Sequence, residues 1–147
     1  MKAVLQRVNS ASLSSNEESV SEIGKGVLAY VGILKGDNEY DLEFIARKIS
    51  SLRLFSDDNG RLNISPVDVK GEILLVSNFT IGANCRKGNR PSFDSAAEQA
   101  EAKRLFELLV EMLKDSGLKV KTGVFGAHMK IDSQADGPVN IFLDSRT

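Results

Sequence analysis

The sequence predicts an α/β fold of the α+β kind, in which two helices pack on a mostly antiparallel curved sheet or open β-barrel. Short apolar, β-branched runs recur between connectors that contain Gly, Asn and Asp, as strands do. Two longer segments instead repeat apolar residues at helical spacing. Helices and strands do not alternate one by one, which argues against a doubly wound parallel sheet. The length of 147 residues fits one domain spanning residues 1–147.

The first elements are predicted to be two strands followed by a helix. Residues 2–8 and 26–34 are strand-like and lie on either side of a Ser-rich loop or hairpin. Residues 37–52 predict a helix with Asn38 as its N-cap and Asp41 three residues later in the first turn. Its apolar stripe, which should lie on the sheet, consists of Leu42, Ile45, Ala46, Ile49 and Leu52.

The middle of the chain predicts a hairpin, a central strand and a second helix. Residues 53–64 carry the Asp/Asn/Gly cluster of a hairpin turn, and residues 72–79 are apolar enough for a central strand. Ser95 and Glu98 form an S-x-x-E capping box that should open the second helix, and Gly117 should end it. The predicted buried stripe of that helix is Leu105, Leu108, Leu109, Met112 and Leu113.

The last third predicts three more strands, over residues 119–125, 127–132 and 139–143. The DGP sequence at residues 136–138 is interpreted as the turn before the final strand. In the alternating stretch KTGVFGAHMKI, His128 falls on the face opposite Ala127 and Met129, so we do not expect it in the core.

Composition limits the classes of protein that the chain can belong to. Cys85 is the only cysteine, so no internal disulfide forms, and the polar residues of the first segment interrupt any secretory signal. The longest apolar run, residues 27–34, is shorter than the roughly 18 residues of a membrane span. We therefore expect a cytoplasmic protein without a membrane partner. A net charge of −1 provides no overall positive potential to attract nucleic acid non-specifically. Two local groups of cations can each hold phosphates: Arg86, Lys87 and Arg90, and Lys119, Lys121 and Lys130.

Few residues can supply side-chain catalysis. A Cys85–His128 or Thr80–His128 couple stays open, but His128 is the only histidine and has no evident orienting partner. One Cys and one His do not make a zinc site, and no Gly-rich phosphate loop is present. We therefore expect neither a metal nor a cofactor.

Five short motifs occur in order along the chain: QRV at residues 6–8, SNFT at 77–80, RPSF at 90–93, TGVFGAHM at 122–129 and DGPVN at 136–140. Together they resemble the D-aminoacyl-tRNA deacylase family (D-tyrosyl-tRNA(Tyr) deacylase) over essentially the whole chain. The resemblance implies a cytosolic homodimer that hydrolyses the ester between a D-amino acid, or glycine, and the 3′-terminal ribose of tRNA. Its implied partners are aminoacyl-tRNA and a second copy of the chain, with no DNA.

The resemblance also assigns residues to the site. It implies catalytic roles for Ser77, Asn78, Phe79 and Thr80. Substrate binding and chiral selection fall to Gly137, Pro138, Val139, Asn140, Arg7, Ala127 and Met129, and tRNA binding to Arg86, Lys87 and Arg90. The chain departs from the family's usual motifs at three positions, since Asn78 replaces Gln, Ile81 replaces Leu and Asn140 replaces Thr.

An aminoacyl ester is already activated, so a positioned water and an oxyanion donor are enough to hydrolyse it. We expect the backbone N–H groups of Phe79 and Thr80 to be that donor, with the substrate's ribose 2′-hydroxyl assisting the water. We expect a cis Gly137–Pro138 bond to reject L-residues at the α-carbon. The resemblance implies that the second subunit supplies this bond and that Arg7 braces it. Two alternatives stay open: a non-catalytic RNA-binding relative and a Cys85-dependent hydrolase.

Overall fold

The computed structural model describes residues 1–147. Its elements are β1 (Lys2–Ser15), β2 (Glu18–Ile23), β3 (Gly26–Gly32), α1 (Glu39–Ser51), β4 (Phe55–Ser56), β5 (Leu62–Ile64), β6 (Glu72–Ser77), a 3₁₀ turn (Phe79–Gly82), α2 (Gln99–Asp115), β7 (Lys119–Thr122) and β8 (Lys130–Asp144). In the main sheet, β1 pairs along one edge with β2 and β3 and along the other edge with β8. Strands β6 and β7 follow β3 in the sheet, and β4 and β5 form the predicted hairpin. The predicted fold class is confirmed.

Strand β1 is twice as long as predicted because the Ser-rich segment is itself strand. Ala11, Leu13 and Ser15 alternate with less buried residues, so this segment has one buried face and one open face. Asn16 and Glu17 have φ of 52° and 66° at the turn into β2, as a tight hairpin turn requires. Of the two predicted possibilities, the hairpin is correct.

The prediction of a turn at residues 136–138 is wrong, because β8 continues through them. Gln6 pairs with Asn140 and Val8 pairs with Ala135, so residues 136–139 of β8 lie opposite the single residue Arg7. The Gly-Pro pair therefore marks a large bulge, in which several extra residues leave the hydrogen-bonded ladder. The strand predicted over 119–125 ends at Thr122, since residues 123–129 form a loop between β7 and β8. The strands predicted over 127–132 and 139–143 are one strand, β8, which begins at Lys130.

Helix α1 begins as predicted. The Asn38 side chain accepts a hydrogen bond from the Tyr40 N–H at 2.9 Å, and the Asp41 carboxylate accepts one from the Asn38 N–H at 2.9 Å. Burial alone would raise the pKa of Asp41, but hydrogen bonds from Ser145 and Asn38 and the nearby N-terminal ammonium bring that pKa below its usual value. The cap is thus reinforced by charge near the helix N-terminus.

Helix α2 differs from its prediction at its start and on its face. Glu98 precedes the helix without a side-chain capping bond, and the Ser95 hydroxyl instead donates to the Gly82 carbonyl at 2.7 Å. The predicted capping box is therefore wrong. Leu108 is 39% exposed rather than buried. Gly117 has a φ of +87° just past the helix, in agreement with the predicted stop.

The sheet is covered by apolar residues on both faces. The larger core lies between the sheet and the two helices. The smaller core lies on the opposite face of the sheet and consists of Val8, Ala11, Leu13, Ile23, Leu28, Leu74 and Val76. Strand β6 is central, parallel to both β3 and β7, and buried on both faces. Neither α1 nor α2 has the length and unbroken apolar character that a bilayer-crossing helix requires.

A buried ion cluster joins the two ends of the chain to the segment before α1. The Met1 ammonium donates to Asp37 Oδ1 at 2.6 Å, with both groups fully buried. The Arg146 guanidinium donates to the same oxygen at 2.7 Å, and the Leu34 N–H donates to Asp37 Oδ2 at 2.6 Å. Asp37 therefore compensates a buried positive charge and a buried N–H at once.

Replacing Asp37 by Asn should lower the free energy of unfolding by about 3–5 kcal/mol, because it removes the carboxylate that contacts the buried ammonium and leaves Asp41, 3.8 Å away, as the nearest counter-charge. Urea denaturation measures this change. The control is Asp58→Asn in the exposed β4–β5 turn, where we expect a change within about 0.5 kcal/mol. A loss at position 37 no larger than that of the control would contradict this account.

Candidate active site

The largest cleft lies where the three parallel strands end. Its volume is about 860 Å³. Ile33 follows β3, Ser77 ends β6, and residues 125–129 follow β7, so the carboxyl ends of these strands contribute part of the lining. The segment before α2 contributes another part. Ligands of open α/β sheets bind at the carboxyl ends of strands, and this cleft occupies the same place.

The four residues assigned to catalysis line this cleft together. Asn78 follows β6 and its N–H donates to the Val31 carbonyl at 2.8 Å, which fixes the chain at the strand end. The Asn78 Oδ1 atom then accepts from the Thr80 N–H at 3.1 Å and from the Thr80 hydroxyl at 2.5 Å. Both polar donors of Thr80 are therefore engaged within the chain. The Phe79 N–H precedes the first hydrogen bond of the turn and has no intrahelical partner.

Two glycines allow the 3₁₀ turn to lie against β3 and the segment that follows it. A Cβ on Gly32 would lie 3.0 Å from the Asn78 carbonyl oxygen, and a Cβ on Gly82 would lie 2.4 Å from Leu34 Cδ2. The Ser95 hydroxyl then bonds to the Gly82 carbonyl. The position of the turn depends on this close approach.

The loop of residues 123–129 supplies the opposite wall. Ala127, His128 and Met129 all line the cleft, and the His128 carbonyl accepts from the Ser15 hydroxyl at 3.0 Å. Tyr30 also lines the cleft, where burial raises the pKa of its phenol. No hydrogen bond joins His128 to Thr80, whose hydroxyl bonds to Asn78. The structure thus places a histidine in the cleft without forming a Thr80–His128 couple.

Sequence reasoning missed the role of Phe93. Its ring meets the Phe79 ring edge to face, with centroids 5.1 Å apart and an interplanar angle of 76°. Both rings line the cleft. The RPSF motif was the available signal, but a phenylalanine in a loop does not indicate which ring it contacts.

The residues assigned to chiral selection do not all meet in one chain. Ala127 and Met129 line the cleft, whereas Gly137, Pro138, Val139, Asn140 and Arg7 do not. The Gly137–Pro138 peptide bond is cis, as predicted. Arg7 holds the bulge, since its Nε donates to the Asp136 carbonyl at 2.9 Å and its NH1 donates to the Leu54 carbonyl at 2.8 Å.

The three cations assigned to tRNA lie outside the cleft. Arg86, Lys87 and Arg90 are exposed and form no salt bridge within 4.0 Å of a carboxylate. They belong to residues 84–92, a segment that we call the cationic loop, which is closed by two backbone hydrogen bonds between Asn84 and Ser92 at 2.8 and 3.0 Å. Cys85 is exposed in the same loop and does not line the cleft. No group of three His, Cys, Asp or Glu side chains is placed to hold a metal ion.

A family model described as D-Tyr-tRNA(Tyr) deacylase matches residues 4–144. A D-aminoacyl-tRNA deacylase of Thermosipho melanesiensis is 46% identical over 147 residues, covering 99% of this chain and 98% of the relative. The chain belongs to the D-Tyr-tRNA(Tyr) deacylase family. The predicted resemblance is confirmed, and by its family the chain is an enzyme, a deacylase that hydrolyses an ester bond.

Two solved structures share the fold of this deacylase. One, described as c-Myc DNA Unwinding Element Binding Protein, has a TM-score of 0.92 and 40% identity, and the match covers 98% of both chains. The other, described as a probable eukaryotic D-amino acid tRNA deacylase, has a TM-score of 0.85 and 16% identity, and the match covers 97% of both chains. At that low identity the second likeness shows the fold alone.

Asn78 and Asn140, the two asparagines that depart from the usual deacylase motifs, both have hydrogen-bond partners in the chain. Asn78 turns back on Thr80, as an Asx turn does. Asn140 accepts a hydrogen bond from Gln6 Nε2 at 3.2 Å across the β1–β8 pair, and Gln6 Oε1 accepts one from the Ser133 hydroxyl at 3.2 Å. Each asparagine is therefore accommodated by hydrogen bonds within this chain.

Proposed function

We propose that the chain hydrolyses the ester between a D-amino acid, or glycine, and the 3′-terminal ribose of tRNA. The observation that carries the proposal is the Phe79 N–H, which begins a turn in the cleft and has no partner within that turn. An N–H fixed in a mostly apolar cleft stabilises developing negative charge well, because it needs no reorganisation during the reaction. Family membership supplies the ester chemistry that such a donor serves.

The Phe79 N–H, and not the Thr80 N–H, is the oxyanion donor in this proposal. The Thr80 N–H already donates to Asn78 Oδ1, and the Thr80 hydroxyl donates to the same atom. A hydroxyl held in this way has no base beside it to make it a nucleophile. Asn78 then serves to fix the turn that presents the neighbouring amide.

The attacking water takes its assistance from the substrate. The ribose 2′-hydroxyl lies next to the ester oxygen in the substrate itself, so the RNA carries this group into the cleft. The exposed cations Arg86, Lys87 and Arg90 would hold acceptor-stem phosphates. A net charge of −1 does not favour non-specific binding to duplex DNA, so we propose RNA as the partner, encountered in the cytoplasm.

Chiral selection requires a second copy of the chain. Gly137 and Pro138 do not line the cleft of their own chain, and they leave the ladder of an edge strand whose outer side has no partner. In a symmetric dimer each bulge would reach the cleft of the partner. A backbone wedge without a Cβ at position 137 would approach the α-carbon of the substrate and clash with the side chain of an L-residue.

The proposed function predicts that D-tyrosyl-tRNA is deacylated faster than L-tyrosyl-tRNA by about a hundred-fold or more, because only the L-ester meets the wedge. Single-turnover hydrolysis of the two esters measures this ratio. Equal rates would remove the chiral role. Binding of tRNA without hydrolysis of the D-ester would instead identify a non-catalytic RNA-binding relative.

Phe79→Pro tests the donor, because proline removes the N–H and is tolerated at the first position of a helical turn. We expect its rate constant to fall roughly 100- to 1,000-fold below that of Phe79→Ala, which loses the same ring but keeps the N–H.

Thr80→Ala and Cys85→Ser should each keep most of the rate. A loss of similar size in Thr80→Ala with an intact fold would return the mechanism to the hydroxyl, and such a loss in Cys85→Ser would support a thiol hydrolase.

Gly137→Ala should abolish most of the activity, because a Cβ at this position would lie 2.1 Å from the Val139 backbone nitrogen and must displace the bulge. Mixed dimers of Gly137→Ala and Phe79→Pro chains should then regain roughly half of the wild-type rate, since one of their two sites combines an intact turn with an intact bulge. Co-expression with two affinity tags isolates these dimers. Mixed dimers as inactive as both parents would show that the two elements do not share a site.

A further inference from the structure

The turn that presents the Phe79 N–H is weakly held by its own backbone. Of the hydrogen bonds at its two ends, the one from the Ile81 N–H to the Asn78 carbonyl is long, at 3.4 Å, and the one from the Ala83 N–H to the Thr80 carbonyl is 3.1 Å. Short 3₁₀ segments have poor hydrogen-bond geometry in general. The orientation of the Phe79 N–H must therefore depend on contacts from outside the turn.

Residues that follow the cationic loop provide those contacts. The Ser95 hydroxyl donates to the Gly82 carbonyl at 2.7 Å, at the C-terminal end of the turn. The Phe93 ring packs on the Phe79 ring at its N-terminal end. Both ends of the turn are thus held from one short segment, residues 93–95.

That segment is itself fixed to the sheet. The Lys35 N–H donates to the Ser95 carbonyl at 2.9 Å, and Ala96 forms a β-bridge with Leu34. The Ser95 side chain therefore joins a fixed backbone to the catalytic turn, which explains why it does not cap α2. Three residues before Ser95, the Asn84–Ser92 bridge closes the cationic loop.

We propose that Ser95 is a positioning residue for the deacylation reaction: its hydroxyl, together with the Phe93 ring, holds the Phe79–Gly82 turn so that the Phe79 N–H meets the developing oxyanion. This inference rests on the proposed function. Ser95 contacts the Gly82 carbonyl and not the substrate, so its loss should misplace the donor without removing it. A small misplacement of a catalytic group lowers the rate constant while substrate binding persists.

The test compares Ser95→Ala with Ser95→Thr and Ser116→Ala on D-tyrosyl-tRNA. We expect Ser95→Ala to lower kcat about ten-fold or more with KM changed less than about two-fold. Ser95→Thr keeps the hydroxyl and should restore kcat. Ser116→Ala is the matched control, because the Ser116 hydroxyl also donates to a backbone carbonyl, that of Leu113 at 2.6 Å, but lies outside the cleft at the end of α2 and should leave both constants unchanged.

A second substrate, D-tyrosyl adenosine, separates positioning from RNA contact, because this ester lacks the acceptor-stem phosphates. Ser95→Ala should lower kcat on it by the same factor as on the tRNA. Unchanged kcat of Ser95→Ala on both esters, or an effect confined to KM on the tRNA, would overturn the positioning role of Ser95. The proposed function would still hold if the wild-type protein hydrolyses the D-ester selectively. If Ser95→Ala does not fold, Ser95→Cys replaces it, since a thiol keeps the volume and weakens the hydrogen bond, and the same outcomes apply.

Discussion

Strand β1 is hydrogen-bonded along both of its edges. One edge pairs with β2 and β3 and the other with β8, from Lys2 opposite Asp144 to Ser14 opposite Lys130. Its side chains alternate between the two faces of the sheet, so Ala3 and Leu5 contribute to the larger core and Val8 to the smaller. The pairing also sets where β8 bulges, since Arg7 is the β1 residue that residues 136–139 lie opposite. The position of the cis Gly137–Pro138 bond thus follows from the register of one strand.

The candidate chemistry uses the backbone where many hydrolases use side chains. Three parallel strands end together and leave one N–H at a cleft wall, while the side chains nearest to it hold the turn in place. Asn78 accepts from both donors of Thr80, and the glycines at 32 and 82 allow the turn to approach β3 and Leu34. A site of this kind is as precise as the packing around it. The contacts of residues such as Ser95 then matter for the reaction, although they carry no reactive group.

The sequence predicted those features that depend on neighbouring residues. The cap formed by Asn38 and Asp41 and the stop at Gly117 are local, and both are present. Gly137-Pro138 was interpreted as a turn because turns and bulges share the same residue types. Only the pairing with β1 distinguishes a bulge from a turn here. The Ser95–Glu98 capping box failed because a carbonyl 13 residues away competes for the hydroxyl. The SNFT and TGVFGAHM motifs indicated the cleft residues, but the Phe79–Phe93 contact depends on tertiary packing.

The pairing of β1 with β8 also fixes an order of events during synthesis. The ribosome releases β1 first, yet the strand that covers its second edge spans residues 130–144, so this edge stays open until nearly the whole chain has emerged. A nascent chain with an open, partly apolar strand edge can pair with other chains before its own partner arrives. The Ser residues that alternate with apolar residues in the second half of β1 make this strand more polar before β8 pairs with it. Translation speed and chaperone supply would therefore influence how much of this enzyme reaches the folded state.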